Sequence, residues 1–196
     1  MTAMFTEEER EQIRSQLIKI GYEIFKTATL KKTSVSEIAK RCGIAKGSFY
    51  NFFPSKHAYA IALMQELSTE KMKEFYVMSG ERGKITLEEF MLWYRGFFIE
   101  DANPYFCLKI EDVLWIRDNM QDDSFFDPEA GVQTVKYFVS MIDGVKADID
   151  YSVLANFGKM IYAMALNRDT FCKEAMQKNI DLVLHTMYQY MKGDVE

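Results

Sequence analysis

Apolar residues recur along this 196-residue chain at helical spacing almost from end to end, and that period limits its fold more than any other feature. Ile13, Leu17, Ile20 and Ile24 make one stripe of an amphipathic helix. Val153, Phe157, Met160 and Met164 make another, and Met176, Ile180, Val183, Met187 and Met191 a third. Capping signals punctuate the stripes. Thr6 with Glu9, Ser34 with Glu37 and Thr86 with Glu89 have the spacing of capping boxes, in which paired side chains satisfy free N–H groups of a first turn. Asn103-Pro104 and Asp127-Pro128 each put a cap before a proline at the first helical position. The pattern predicts a helix opening at Thr6, others over 34–42, 45–52, 56–77, 104–120, 128–142, 151–167 and 170–192, and one after Thr86 rich in aromatic residues. No strand-like alternation is long enough to matter. The fold class is all-α, with about nine helices.

With only 3 prolines and 10 glycines, collagen-like and low-complexity chains are excluded. The longest apolar run, Met160 to Leu166, falls well short of the roughly 20 residues that span a bilayer. The acidic start (Glu7, Glu8, Glu9) is unlike a secretory signal. Three separated cysteines, Cys42, Cys107 and Cys172, suit reduced thiols rather than a disulfide framework. The expectation is a cytoplasmic protein without a membrane partner. Two histidines, His57 and His185, have no metal-ligand spacing, and neither a phosphate loop nor a nucleophile elbow occurs. Catalysis, a metal and a cofactor are therefore not expected.

A net charge of −5 argues against nucleic acid until it is resolved along the chain. Residues 1–60 hold ten Lys and Arg against six acids, a balance of +4, which leaves −9 on the rest. From 26 to 56 the only acid is Glu37. Such asymmetry implies two tasks in one chain, and two domains: 1–54, and 55–196, with the helix near 56–77 linking them.

The basic stretch overlaps residues 35–54, VSEIAKRCGIAKGSFYNFFP. Two short helices joined by a glycine turn have the form of a helix-turn-helix. Ala39 is small where the second helix crosses the first, Gly43 supplies the turn, and Ile38, Cys42, Ile44 and Phe49 are apolar where the pair packs on the first long helix. The second helix keeps a polar face of Lys46, Ser48 and Asn51, and Gly47 lets backbone approach a duplex. In such motifs the second helix enters the major groove by its N-terminus while flanking groups hold phosphates.

A helix ending Ile24-Phe25, followed by TSVSEIAKRCGIAKGSFYNFFPSKHAY, resembles the DNA-binding domain of the TetR (tetracycline repressor)/AcrR family of regulators. Thr33-Ser34, Ile38-Ala39, Cys42-Gly43-Ile44, Gly47, Tyr50, Phe53 and Lys56 fill that family's usual slots. Three positions depart from the pattern: Thr29 replaces a glycine, Ala45 replaces a capping Ser or Thr, and Phe52 replaces a frequent His. The resemblance implies that Ser34, Tyr50 and Lys56 bind phosphates and that Lys46, Gly47 and Ser48, with Asn51 beside them, reach base edges or adjacent phosphates. Phe53 is read as core packing. Lys40 and Arg41 are read as solvated surface or phosphate contacts.

Beyond residue 60 the resemblance implies a helical effector-binding and dimerisation domain. Twelve of the chain's 28 aromatic residues lie between 90 and 138. Trp93, Tyr94, Phe97, Phe98, Trp115 and Phe138 are the candidates to line a cavity for a small, mostly apolar or amphipathic ligand, although such a stripe is also how a closed core reads. Glu100, Asp101, Glu111 and Asp112 are either ligands for a cationic group or solvated surface. Phe157, Met160, Met164, Leu184, Met187 and Met191 are the candidate homodimer seam. The expected function is a dimeric repressor that binds a pseudo-palindromic double-stranded operator, its recognition helices about 34–36 Å apart, and leaves it on binding effector. The alternative keeps DNA binding and replaces the ligand by a protein partner or by abundance.

Overall fold

The computed structural model describes residues 5–98, 104–118 and 127–192. Among them are nine α-helices: α1 (Glu7–Thr27), α2 (Val35–Arg41), α3 (Lys46–Phe49), α4 (Lys56–Ser79), α5 (Leu87–Arg95), α6 (Ile110–Arg117), α7 (Pro128–Ser140), α8 (Tyr151–Leu166) and α9 (Lys173–Lys192). The caps at Thr6–Glu9 and Thr86–Glu89 form as complete boxes, and Asp127 caps α7 ahead of Pro128. At Ser34 half of the expected box forms. Ser34 Oγ accepts from Glu37 N at 3.1 Å, whereas the Glu37 carboxylate accepts instead from Arg41 at 2.9 Å. The aromatic-rich helix stops at Arg95 and continues as a 3₁₀ turn, Gly96–Phe98. The helix expected over 104–120 is two pieces, a 3₁₀ turn at Pro104–Cys107 and then α6. A two-residue parallel pairing, Ile85–Thr86 with Ile142–Asp143, was not anticipated. Asn103, Glu100, Asp101, Phe125 and Phe126 lie outside the described residues, as does the Tyr105 side chain.

The chain divides into two compact units, Met1–Thr69 with Cys107–Met120, and Glu70–Phe106 with Gln121–Glu196. This differs from a boundary at 54/55 in two ways: the division falls within α4, and α6 belongs with the N-terminal helices. In the first unit, Leu17, Ile24, Leu30, Ile38, Phe49, Tyr59 and Leu63 are each 0% exposed. The α1–α4 crossing is close because α1 has Gly21 there; a Cβ at that position would lie 2.5 Å from the Leu63 methyls and 2.7 Å from the Tyr59 hydroxyl. That hydroxyl is buried and donates to Leu17 O at 2.6 Å.

The second unit has two apolar clusters. One gathers Phe75, Ile85, Leu87, Phe90, Trp93, Ile142, Leu154, Met187 and Met191; the other Phe98, Phe106, Ile161, Ala165, Ile180 and Leu184. Met91, Tyr94 and Phe97 pack against both.

Candidate nucleic-acid interface and aromatic cluster

The helix-turn-helix forms, but its second helix is shorter than the expected 45–52, ending at Phe49 and continuing as turns through Phe52. Gly43 ends α2 with φ of 73°, a conformation that β-carbon sterics deny most residues, and Ile44 N then bonds Ala39 O at 3.0 Å. Ala45 precedes α3 without a side-chain cap bond, the consequence of its missing hydroxyl. Phe49 and Phe53 turn inward and meet Tyr59, with ring centroids 5.4 and 5.0 Å away. That anchors α3 from one side. Its other side carries exposed Lys46, Gly47, Tyr50 and Asn51, with Ser48 half-buried between them. Tyr50 sets its ring edge-on to Phe49 at 5.5 Å while remaining 45% exposed. Gly47 has no internal steric reason to be glycine, since a Cβ there would meet no atom within 4 Å. Phe52, in the slot of the frequent His, packs beneath the Arg10 guanidinium at 5.4 Å.

Ser34 is exposed at the N-terminus of α2; its hydroxyl oxygen accepts the capping bond, which leaves its proton to donate. Lys56 is more engaged than a free phosphate-binding lysine. Its ammonium donates to Lys31 O at 2.7 Å and Thr33 O at 3.1 Å and lies 4.8 Å from the centre of the Trp115 ring. Burial lowers its pKa, and the nearby Asp112 carboxylate opposes that shift. Lys40 is exposed, and Arg41 pairs with Glu37. Cys42 is half-buried, with its thiol pKa pushed up by burial.

Asp112 departs from the sequence reading, while Glu111 stays partly exposed in an ion pair with Lys32. Asp112 is fully buried, not solvated surface, and both its oxygens accept backbone N–H groups, from Leu30 at 3.0 Å and Lys31 at 2.7 Å. Burial raises its pKa against the pull of those two bonds. Glu111 accepts from the Thr29 hydroxyl at 3.0 Å and pairs with Lys32 at 2.9 Å. No motif marks the Asp112 contacts, because backbone donors have no sequence identity.

The six aromatic candidates separate. Trp115 belongs to the first unit, where α6 holds it against the His57 ring at 4.1 Å, so it is not part of the C-terminal cluster. The other five meet in the second unit. Trp93 lies 4.9 Å from Phe97 and 5.4 Å from Phe138, and Tyr94 lies 5.1 Å from Phe98. The Trp93 indole N–H is buried in this apolar setting and has no hydrogen-bond partner among the described residues. Tyr94 presses its hydroxyl on α8 at Gly158, where a Cβ would collide with it. Burial pushes the Tyr94 phenol pKa up. A separate surface groove of about 410 Å³ runs between α5 and α9, lined by Met91, Leu92, Arg95, Asp181, Leu184, His185 and Tyr188, and includes none of the five.

The candidate seam residues separate too. Leu184, Met187 and Met191 are 0–5% exposed in the unit's own core, so they are unavailable to a second copy. Phe157 and Met164 are half-buried against the same clusters. Met160 alone of the six is well exposed, at 47%. It shares the outer face of α8 with exposed Val153, Asn156 and Ala163, and Leu182 is 56% exposed on α9.

The chain thus has an N-terminal helix-turn-helix with an outward polar face, followed by a second helical unit. Residues 17–63 match the family model of the bacterial regulatory proteins, tetR family. It is 28% identical over 121 residues, 60% of its length, to the uncharacterized HTH-type transcriptional regulator YdgC of Bacillus subtilis (strain 168). The matches span only 16–55% of the lengths of the curated relatives. A TetR-family transcriptional regulator from Cytophaga hutchinsonii has the same fold, with a TM-score of 0.59 at 18% identity over 98% of this chain and 99% of that one. The TetR-family repressor FadR of Thermus thermophilus, solved in complex with lauroyl-CoA, superposes with a TM-score of 0.50 at 15% identity, covering 93% and 97% of the two chains. No helix among the described residues is long and apolar enough to cross a membrane.

Proposed function

We propose that this transcriptional regulator is a homodimeric repressor that reads a pseudo-palindromic operator with α3 and is released by a small, mostly apolar effector. One observation supports the DNA contact above the rest: Gly47, exposed in a helix where alanine would fit freely. Glycine costs a helix roughly 0.5–1 kcal/mol relative to alanine, so its presence is explained by something outside the protein that approaches the backbone. Lys46 and Asn51 are the base-edge or adjacent phosphate contacts, with Ser48 and Gly47 backbone between them. Ser34, Tyr50 and Lys56 hold phosphates.

The Trp93 indole N–H, buried and without a partner among the described residues, supports the effector. A buried donor without an acceptor costs roughly 1–3 kcal/mol, and a ligand with one polar atom among apolar ones would relieve it. The T. thermophilus FadR complex offers a precedent for an acyl ligand in this fold. The close fit of Tyr94 on Gly158 favours the second reading, a regulator with a packed interior and no small ligand. For the dimer, the exposed Val153, Asn156, Met160 and Ala163 face of α8 is the proposed seam.

Operator selection from random duplex DNA, followed by titration of wild type, Lys46→Ala and Tyr50→Phe over a salt series, tests the DNA reading. Both variants should bind more weakly, with Tyr50→Phe losing the phenol's phosphate contact. Unchanged affinity and salt slope in both would remove the assigned contacts. A thermal shift with medium-chain acyl compounds, absent in Trp93→Phe, would separate the effector reading from its alternative.

A further inference from the structure

Between α1 and α2 the chain turns through Ala28–Thr33 and arrives at Ser34, the N-cap of α2. That turn is gripped from two sides. From α6, the two oxygens of Asp112 accept Leu30 N and Lys31 N, while Glu111 accepts the Thr29 hydroxyl and the Lys32 ammonium. From the start of α4, the Lys56 ammonium donates to Lys31 O and Thr33 O. The same α6 closes the arrangement through Trp115, whose ring lies against both Lys56 and His57. Two of the residues assigned to phosphate, Ser34 and Lys56, thus take their positions from a turn whose free N–H groups are satisfied by α6.

Burying a carboxylate is costly unless it is fully hydrogen-bonded, and here the compensation comes from two backbone N–H groups aimed at one side chain. A turn pinned by two charge-assisted bonds at adjacent residues has little freedom to rotate. We infer that Asp112 is a positioning residue for operator binding, orienting through the α1–α2 turn the Ser34 and Lys56 groups that hold phosphate. This rests on the DNA-binding reading above. It assigns Asp112 no contact with DNA: the side chain is 0% exposed and works through the turn.

The test is a double-mutant cycle on the full chain, with binding to the selected operator measured by anisotropy over a salt series. Asp112→Asn keeps one acceptor and loses the charge and the second bond. Its folded form should bind about tenfold more weakly, with a shallower salt slope because phosphate contacts are misaligned. Ser34→Ala should weaken binding in the wild-type background and have little further effect in Asp112→Asn, because the two act as one unit. Asp112→Asn binding as well as wild type, or its effect adding in full to that of Ser34→Ala, overturns the inference. If Asp112→Asn does not fold, Glu111→Gln in the same cycle reads the exposed half of the grip, with about a threefold loss expected and an unchanged Kd against it. Wild type binding no duplex at all would instead refute the DNA-binding reading. Wild type that binds and loses affinity with Lys46→Ala leaves that reading standing whatever Asp112 does.

Discussion

The glycine proposed to lie on the reading face yields an unusual pair of expectations, since Gly47→Ala should make the protein more stable and worse at its task. No heavy atom lies within 4 Å of the added methyl, so the fold pays no steric penalty. What remains is the backbone entropy that glycine loses on entering a helix, roughly 0.5–1 kcal/mol in favour of alanine. For a chain of this size that corresponds to a rise of about 1–4 °C in Tm. At the DNA the methyl occupies the space through which the α3 backbone approaches. Loss of one close contact, worth roughly 1–3 kcal/mol, weakens operator binding about tenfold or more. Circular dichroism melts and anisotropy titrations on one preparation measure both quantities. A stabilised variant with undiminished affinity would mean that α3 does not approach DNA by this edge. A destabilised variant would mean that the open space is not open.

Gly21→Ala should have the opposite sign in a denaturant melt. The methyl meets Leu63 and Tyr59, both 0% exposed, and overpacking of about 1–3 kcal/mol outweighs the helix-propensity gain; pairing it with Leu63→Ala should recover part of the loss. Met187→Ala should cost about 2–5 kcal/mol in the same assay because it empties core volume. Met160→Glu should leave the fold intact and shift sedimentation toward the monomer, and an unchanged dimer would place the seam elsewhere. The Arg95 guanidinium donates to Asp181 at 2.9 and 3.3 Å and, with a smaller contribution from Gln177, holds its carboxyl below the usual range. A depressed folded pKa means the unfolded chain binds the proton first, so this contribution is present above the ordinary Asp pKa and lost as pH falls through the folded one. Asp181→Asn should accordingly flatten the acid limb of the stability–pH curve below about pH 4, the ordinary Asp value.

What was legible in the sequence was local. Thr6 with Glu9 and Thr86 with Glu89 sit three residues apart, so their caps were readable without knowing the fold. Gly43 announced the turn and the inward ring of Phe53 followed from the motif. The α9 stripe was readable as a stripe but not as a destination, since a core seam and a dimer seam have the same period; Leu184, Met187 and Met191 went inward. The break between Cys107 and Ile110 carries neither glycine nor proline to announce it. Asp112 was invisible for a further reason, because its partners 81 and 82 residues away are main-chain groups that any sequence would offer.

The return of α6 to the N-terminal unit means that the chain passes between its two units three times, near 69, 106 and 120. The DNA-reading part is therefore not a cassette that ends where its motif ends. A chimera joined at residue 60, or at the end of α4, would carry every residue of the helix-turn-helix and still leave Leu30 and Lys31 N–H facing a foreign α6. Exchange of operator preference between relatives needs two grafts, the first seventy residues and the short helix forty residues further on, and the second sets how well the first performs.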